Sequence, residues 1–478
     1  MKRTSGVLLP VSALPGDYSV GSLGAEARRF VDFLREGGFS VWQTLPPVVT
    51  GEGDSPYKSF SAFSLNYYFI DLPTLRDIGL LSDREMADAR QASPYLCEYP
   101  RLARERFALL SRAAARLSDR APIDNFLAAH PESERFCRFM ALRRANDGRP
   151  FREFVTDRYR EEDFYAWAFT QYTFYIQWQA LHDYARERGV SLLGDMPIYV
   201  DEESADVWGN PRLFDLRADG RAAAVAGVPP DYFSEDGQRW GNPLYNWDAM
   251  REDDFAWWRA RLAHTLALYD GVRIDHFRGF ASYYSIPADA PNARTGRWRR
   301  GPGRALVDAL RKTANGRLIV AEDLGGDEAP DVQRLLAYSG FPGMRVFQFA
   351  FLGNPESVHL PHNYENNTVA YTGTHDNDTL LAYLFALTPD ERRRVFDYCG
   401  YAGDDMNAGF SAVLHTMLAS HAGMVVFPLQ DLLRFGCDTR INRPGTATGN
   451  WAYRVTREQL ASIDPVPYAK ENRLLGRV

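Results

Sequence analysis

Cysteine is scarce in this sequence. Four cysteines occur among 478 residues, and they form neither a C-x-x-C pair nor a metal-type spacing with histidine. A chain without a disulfide framework fits a reduced compartment, so we expect a cytoplasmic protein with no metal site and no cofactor. The four positions are Cys97, Cys137, Cys399 and Cys437.

Long runs of apolar residues and long blocks of basic residues are also absent. No segment approaches the roughly 20 consecutive apolar residues that a membrane-spanning helix needs, so we expect no membrane association. The apolar run from Val7 to Leu9 follows two basic residues, but Pro10 and Pro15 interrupt it, and a signal peptide is not expected. The net charge is −7 with no long basic block, which argues against nucleic acid as a partner.

Aromatic residues, in contrast, are plentiful. The chain contains 10 Trp, 25 Tyr and 29 Phe, and aromatics make up 13% of it. Most of them must fill a large core. Because an aromatic face packs well against the apolar C–H face of a sugar ring, a few could bind carbohydrate in a pocket.

Strand-like and helix-like segments alternate along the chain. Helical patterns cover residues 25–36, ending at two glycines, and residues 303–313 and 389–398, the last with Thr388 as N-cap. The eight predicted strands are residues 41–45, 67–72, 191–197, the run ending at Asp275, and residues 318–321, 344–351, 368–372 and 424–428. Alternation that sums to eight strands predicts an α/β fold of the (β/α)8 TIM barrel type.

The spacing between the predicted strands is uneven. Residues from about 80 to 188 are charged and helix-rich, which predicts an inserted helical subdomain. Residues from about 201 to 270 form a second insertion, rich in Trp, Tyr, Gly and Pro. Insertions after barrel strands lie at the C-terminal face of the strands, so we expect the second one to line a long substrate groove. With no repeat and no flexible linker, we interpret residues 1–478 as a single barrel domain.

Three predicted strands run directly into acidic residues. The strand at 272–274 leads to Asp275, residues 318–321 lead to Glu322, and residues 368–371 lead to the stretch with Asp376. Cleavage of a glycosidic bond with retention needs two carboxyl groups about 5–5.5 Å apart, which neighbouring barrel strands can supply. The short Asp suits a fixed nucleophile, and the longer Glu can reach the glycosidic oxygen. Together with the aromatic content, this arrangement favours chemistry on a sugar.

Further residues beside these carboxylates fit the same chemistry. Arg273 stands two positions before Asp275 and points to the same side of the strand, where its guanidinium would keep Asp275 ionised. Asp376 could accept hydrogen bonds from sugar hydroxyls and favour ring distortion in an oxocarbenium-like transition state. His375 could donate a hydrogen bond to the same sugar.

Each element of this constellation also has a purely structural interpretation. Arg273 and Asp275 could form an ion pair inside the barrel. Glu322 and Asp323 could cap the following helix, and residues 374–378 could be a polar turn. The occurrence of all three at strand ends favours the catalytic interpretation, because catalytic groups in this fold come from several strand ends.

Segments spread over nearly the whole chain resemble the 4-α-glucanotransferases of the amylomaltase, or disproportionating-enzyme, type (glycoside hydrolase family 77). Besides the three strand ends, the resemblance is carried by residues 6–10, 12–15, 55–57, 61–63, 194–197, 240–245, 442–446 and 450–451. Two stretches depart from the usual family pattern, residues 48–50 and 64–68, and these could alter acceptor or outer glucan contacts.

The resemblance implies a reaction and a set of residues. It implies transfer of α-1,4-glucan segments from maltooligosaccharides, starch or glycogen chains to an acceptor glucan or glucose. It implies Asp275 as nucleophile, Glu322 as general acid/base and Asp376 as transition-state stabiliser. The sugar-binding positions that it implies are Tyr57, Asp195, Trp240, Arg273 and His375.

Transfer differs from hydrolysis only in what attacks the glycosyl-enzyme, so the site must disfavour water. Residues 227–234 form a candidate lid, stiffened by proline and carrying two aromatic side chains. The lid residues are Pro229, Pro230, Asp231, Tyr232 and Phe233. The alternative interpretation is an ordinary rigid surface loop.

Two other functions stay open on the sequence. An α-glucan hydrolase of the α-amylase type would share the three carboxylates, although Gly194–Pro197 does not match the amylase Asp-x-x-x-Asn-His pattern. A non-catalytic glucan-binding barrel would have no need for all three. Products formed from maltotriose would separate these possibilities.

Overall fold

A computed structural model describes residues 1–51, 53–230, 235–325, 329–352, 355–446 and 448–478. The strands within these ranges are β1 Thr4–Leu8, β2 Val41–Gln43, β3 Ser191–Met196, β4 Ala224–Val228, β5 Gln238–Pro243, β6 Gly271–Ile274, β7 Ser282–Pro287, β8 Arg297–Arg300, β9 Leu318–Ala321, β10 Gly343–Val346, β11 Thr368–Tyr371 and β12 Met424–Pro428.

Helices account for most of the remaining regular structure. The α-helices are α1 Ala25–Glu36, α2 Leu72–Asp77, α3 Asp83–Asp88, α4 Tyr99–Arg116, α5 Ala121–Ala129, α6 Pro131–Ala145, α7 Glu161–Glu187, α8 Ala205–Gly209, α9 Trp247–Arg251, α10 Ala256–Leu268, α11 Arg278–Ala281, α12 Arg304–Ala314, α13 Pro330–Ser339, α14 Leu380–Ala386, α15 Pro389–Tyr398, α16 Met406–Ala419, α17 Leu429–Leu433, α18 Arg457–Ala461 and α19 Pro465–Leu474. Short 3-10 helices cover Val11–Ala13, Tyr67–Phe69, Phe151–Glu153, Pro211–Leu213, Phe347–Phe349, Pro361–Asn363 and Cys437–Thr439. Across the described ranges, no helix is both long enough and apolar enough to span a membrane.

Eight of the strands close into a parallel barrel, which confirms the predicted (β/α)8 fold. Their order around the barrel is β1-β12-β11-β10-β9-β6-β3-β2. The barrel closes where β1 pairs with β12, with Thr4 opposite Met424. Strands β6 and β11 are buried at every position, as expected for parallel strands covered by helices on the outside.

Two of the eight segments that form the barrel strands differ from the prediction. The first strand, β1, lies at Thr4–Leu8, where the sequence pattern predicts no strand. The predicted strand at residues 67–72 is wrong, because Tyr67–Phe69 is a 3-10 helix followed by α2. Two polar side chains favour these turns over an extended strand: Asn66 accepts the Tyr68 N–H, and Asp71 caps α2.

Other predicted boundaries agree more closely. Helices α1 and α15 match the predicted ranges, and Thr388 forms a reciprocal capping box with Glu391 at the start of α15. The predicted strand at 344–351 is shorter, because β10 ends at Val346 and a 3-10 helix follows.

Two groups of elements interrupt the regular alternation of strand and helix. Helices α2 to α7 lie between β2 and β3. The other group is a four-stranded antiparallel sheet in the order β5-β4-β7-β8; in the sequence, β4 and β5 precede β6, and β7 and β8 follow it. The division into one barrel domain with insertions at 80–188 and 201–270 stays a prediction. What matters for the site is that β3, β6 and β9 are neighbours in the barrel, so their C-terminal ends meet.

Candidate active site

Asp275 and Glu322 lie side by side at the ends of β6 and β9. These strands pair with Ile274 opposite Ala321, so the two acidic residues follow one matched pair directly. The Asp275 N–H donates to the Met196 carbonyl at 3.0 Å, and the Glu322 N–H donates to the Ile274 carbonyl at 3.0 Å. These bonds continue the hydrogen bonding between the strands by one residue and fix the backbone at Asp275 and Glu322.

Backbone donors orient the Glu322 carboxyl group. Its Oε2 accepts the His276 N–H at 2.7 Å, and its Oε1 accepts the Leu324 N–H at 2.9 Å. His276 has φ 50°, in the left-handed region that few non-glycine residues adopt. The turn after β6 therefore holds an uncommon backbone conformation next to the carboxylate that it contacts.

Arg273 connects two carboxylates within the buried part of the site. Its side chain is 4% exposed, and its Nη1 donates to both oxygens of Asp195 at 2.8 Å. Its Nη2 donates to Asp275 Oδ1 at 2.9 Å. Tyr57 completes this network, because its hydroxyl donates to Asp195 Oδ2 at 2.6 Å.

Burial has the largest effect on the pKa values of Asp275 and Glu322. It raises the pKa of Asp275, and this effect outweighs the opposing influence of Arg273, contrary to the expectation from Arg273 alone. Burial also raises the pKa of Glu322 to about 8, and the charge of Asp275 adds to the shift. Arg273 donates directly to Asp275, which favours the ionised form of that carboxylate, so we expect Glu322 to be the member of the pair that holds a proton.

Asp376 lies in the loop that follows β11 and is more exposed than the other two carboxylates, at 45% of its side chain. The Asn442 Nδ2 donates to Asp376 Oδ1 at 2.6 Å, and His375 Nε2 lies 3.4 Å from Oδ2. Arg440 Nη2 donates to the Asp376 backbone carbonyl at 2.5 Å. The charge of Asp376 contributes to the raised pKa of Asp275, so the third carboxylate lies within electrostatic range of the pair.

Aromatic rings join the Asp376 loop to the rest of the site. Tyr57 stacks on His375 with ring centroids 5.2 Å apart and planes 13° from parallel. Trp451 contacts both rings, at 5.7 Å from Tyr57 and 5.9 Å from His375. Tyr57 thus contacts Asp195 with its hydroxyl and His375 with its ring.

Trp240 approaches the carboxylate pair from the small antiparallel sheet. It lies within β5, its ring meets His276 edge-on at 4.9 Å, and its Nε1 donates to Gln238 at 3.1 Å. Burial lowers the pKa of His276 to about 4, so this ring is neutral at pH 7.

The candidate lid is described only in part. Pro229 and Pro230 follow β4, whereas Asp231, Tyr232 and Phe233 lie outside the described residues. In the described part of the chain, no group of His, Cys, Asp and Glu side chains is arranged to hold a metal ion.

Sequence reasoning missed four residues of this site: His276, Arg440, Asn442 and Trp451. Both Asn442 and Trp451 belong to stretches that carried the family resemblance, yet neither was assigned a contact. Their distance in sequence from Asp376 gave no local signal. His276 directly follows Asp275 and contacts Glu322 through its backbone N–H. Any residue type except proline could make this contact, so the histidine itself gave no indication of it.

A closed parallel barrel with two carboxylates on adjacent strand ends defines a class of enzyme that acts on glycosidic bonds. The family model described as 4-alpha-glucanotransferase matches residues 9–460. The 4-alpha-glucanotransferase of Thermus thermophilus is 41% identical, covering 96% of each chain, and that of Streptococcus pneumoniae is 40% identical, covering 96% of this chain and 94% of the relative. The chain belongs to the 4-α-glucanotransferase family, glycoside hydrolase family 77.

Solved structures agree with this assignment. An amylomaltase from Streptococcus agalactiae, solved in complex with acarbose, has a TM-score of 0.95, 36% identity and full coverage of both chains. The amylomaltase from Corynebacterium glutamicum has a TM-score of 0.83, 20% identity, and covers 98% of this chain and 75% of its own, which shows the shared fold. Family membership supports the glucanotransferase over the hydrolase and the non-catalytic barrel that the sequence left open.

Proposed function

We propose that this protein transfers α-1,4-glucan segments to the 4-hydroxyl of an acceptor glucan or glucose, with retention, through a glycosyl ester on Asp275. The donors are maltooligosaccharides, starch or glycogen chains. The observation that carries the proposal is the asymmetric carboxylate pair: Arg273 donates to Asp275, whereas the pKa of Glu322 is raised to about 8. A nucleophile and an acid with these protonation states are what a retaining enzyme requires.

In the first step, a carboxylate oxygen of Asp275 bonds to C1 of the donor sugar. The bond between C1 and the glycosidic oxygen breaks, and Glu322 gives its proton to that oxygen, which leaves as the free 4-hydroxyl. In the second step, the 4-hydroxyl of the acceptor attacks C1, its proton passes to Glu322, and the ester bond breaks. Each half-reaction inverts C1, so the product keeps the α configuration.

The remaining residues bind and stabilise the sugar at C1. We assign transition-state stabilisation to Asp376, whose carboxylate strengthens its contacts as the ring flattens. His375, Asp195 and Arg273 bind the same sugar, and Tyr57 and Trp240 offer ring faces to the glucan. The acarbose bound by the Streptococcus agalactiae enzyme supports a saccharide in this pocket.

The proposed location is the cytoplasm. All four cysteines are free, and Cys97 and Cys137 are buried, which fits a reduced compartment.

Preference for transfer requires that water reach the glycosyl-enzyme less readily than an acceptor does. We assign this exclusion to the predicted lid at 229–233, and we attribute the apolar cover to its aromatic residues, Tyr232 and Phe233. Replacing both aromatics by alanine is expected to raise the ratio of hydrolysis to transfer on maltotriose. An equal fall of both activities would mean that this loop does not control water access.

The product profile from maltotriose tests the proposed reaction as a whole. Transfer gives glucose together with a ladder of longer oligosaccharides, whereas hydrolysis gives only shorter products. Binding without catalysis gives no product. A profile restricted to glucose and maltose would refute the proposed transfer.

A further inference from the structure

Asp376 differs from the other two carboxylates in how its position is set. It lies in the loop of residues 372–379 between β11 and α14, and 45% of its side chain is exposed. Neither strand pairing nor close packing determines the direction of its carboxylate. A group that stabilises a transition state must nevertheless be held in place before the reaction.

The two ends of this loop are fastened to a single buried carboxylate. Asp431, 1% exposed in α17, accepts the Thr372 hydroxyl at 2.5 Å and the Leu380 N–H at 2.8 Å. Thr372 is the first residue of the loop, and Leu380 is the first residue of α14. The two bonds leave the middle of the loop, where Asp376 lies, to be held by other contacts.

Arg440 holds the middle of the loop. Its Nη2 donates to the Asp376 carbonyl at 2.5 Å, and its Nη1 lies 3.5 Å from the Asp378 carboxylate. Its Nε donates at 2.7 Å to the carbonyl of Asn442, the residue whose side-chain amide donates to Asp376 Oδ1. One guanidinium therefore binds both the backbone of Asp376 and the residue that orients its carboxylate.

The segment that carries Arg440 is itself anchored to the barrel. Gln430, buried in α17, donates to the Thr439 carbonyl at 3.0 Å, and the Asn442 N–H donates to the His375 carbonyl at 3.0 Å. Arg440 thus spans two loops that follow neighbouring barrel strands, β11 and β12. A planar guanidinium can make these three contacts at once, whereas a lysine ammonium on a flexible stem cannot reproduce the fork.

We infer that Arg440 is a positioning residue for catalysis, which acts by fixing the backbone and carboxylate of Asp376 without contacting the glucan. The inference rests on the proposed role of Asp376. Its consequence is that loss of Arg440 slows turnover more than it weakens ground-state binding. Its effect also depends on the presence of the Asp376 carboxylate.

The test is a double-mutant cycle with Arg440→Gln and Asp376→Asn, measuring kcat and KM for transfer from maltotriose. We expect Arg440→Gln to lower kcat about 10- to 100-fold, the size of effect that a misplaced catalytic group produces, with KM changed less than threefold. In the Asp376→Asn background the same substitution is expected to lower kcat less than threefold. Arg440→Lys is expected to fall between the wild type and Arg440→Gln.

Arg434→Gln is the matched control. Arg434 lies just after α17, and its guanidinium binds Asn407 and Ser411 on α16, away from the Asp376 loop. Its kcat should stay within twofold of wild type. Thermal unfolding of each variant identifies loss through misfolding, and Arg440→Lys carries the test if Arg440→Gln does not fold.

Two results would overturn the inference, and they are distinguishable. An equal fold-loss of kcat from Arg440→Gln with and without the Asp376 carboxylate would reject the positioning role alone. Near-wild-type kcat in Asp376→Asn would reject the proposed role of Asp376, and the inference with it.

Discussion

The two sides of the candidate site are built by different means. Asp275 and Glu322 follow directly on paired strands, and backbone N–H groups or a buried guanidinium hold their carboxyl groups. Asp376 lies five residues beyond β11, and side chains more than 60 positions later in the chain hold it. The first side is set by barrel geometry and burial, whereas the second depends on contacts between loops.

This difference predicts how each side responds to substitution. On the strand side, a substitution should act mainly through the lost chemical group and the changed charge, because the backbone there is part of the barrel. On the loop side, small geometric changes should reduce turnover while leaving the fold and the pKa values of the pair intact. Tyr57 contacts both sides and so allows them to be compared within one residue.

The largest effect is expected for Asp275→Asn. The neutral amide cannot form the glycosyl ester, so transfer should fall roughly 10⁴-fold or more. Unfolding temperature should be little changed, because the barrel backbone is intact. Transfer from maltotriose measures the loss, with mass spectrometry to exclude deamidation back to Asp. Near-normal transfer by the intact variant would remove Asp275 as the nucleophile.

Glu322→Gln is expected to lower turnover on ordinary glucans about 10²- to 10⁴-fold. An activated glycosyl donor, whose leaving group needs no proton, should recover the first step. Because the first step uses the protonated acid and the pKa of Glu322 is about 8, wild-type kcat/KM should fall as pH rises through about 8. That alkaline limb should vanish in the variant with the activated donor, and a limb that persists there belongs to another group.

The same pKa predicts a pH dependence of stability. In the folded protein the pKa of Glu322 is raised from its ordinary 4.5 to about 8, so the folded state binds the proton more tightly than the unfolded chain does. This contribution is complete below pH 4.5 and is lost as pH rises through 8. Denaturation of wild type and Glu322→Gln over this range should therefore show a smaller pH-dependent loss in the variant. Parallel curves would contradict the raised pKa.

Asp376→Asn is expected to lower kcat about 10²- to 10³-fold while maltooligosaccharide affinity changes little. The amide oxygen can still accept from Asn442, so the loop should keep its conformation. Steady-state kinetics, together with direct binding of maltooligosaccharide, separates the two quantities. A large loss of affinity at unchanged kcat would make Asp376 a simple binding residue.

The smallest effect is expected for Tyr57→Phe. This change removes the hydrogen bond to Asp195, worth about 1 kcal/mol, and keeps the ring that stacks on His375, so kcat/KM should fall roughly fivefold. Tyr57→Leu removes the stacking as well and should cost more. If the two variants are equally impaired, the ring contact does not support the Asp376 side.

The sequence was sufficient for the strand side of the site and insufficient for the loop side. Apolar runs ending in Asp275 and Glu322 are local patterns, and a parallel barrel brings such ends together. Asn442 and Arg440 contact Asp376 through loops whose paths no local pattern specifies. The missed strand β1 and the wrong strand at 67–72 have a similar origin, because short apolar segments leave the choice to caps and distant pairing partners.

The seam between β1 and β12 has a consequence for biosynthesis. On the ribosome, β1 emerges about 420 residues before the strand that covers one of its edges. At about 5–20 residues per second, that edge waits roughly 20 to 80 seconds for its partner. During this interval the nascent chain exposes an unpaired strand edge that other chains can extend. We therefore expect an incomplete polypeptide, released before β12 is made, to depend on chaperones far more than the finished enzyme does.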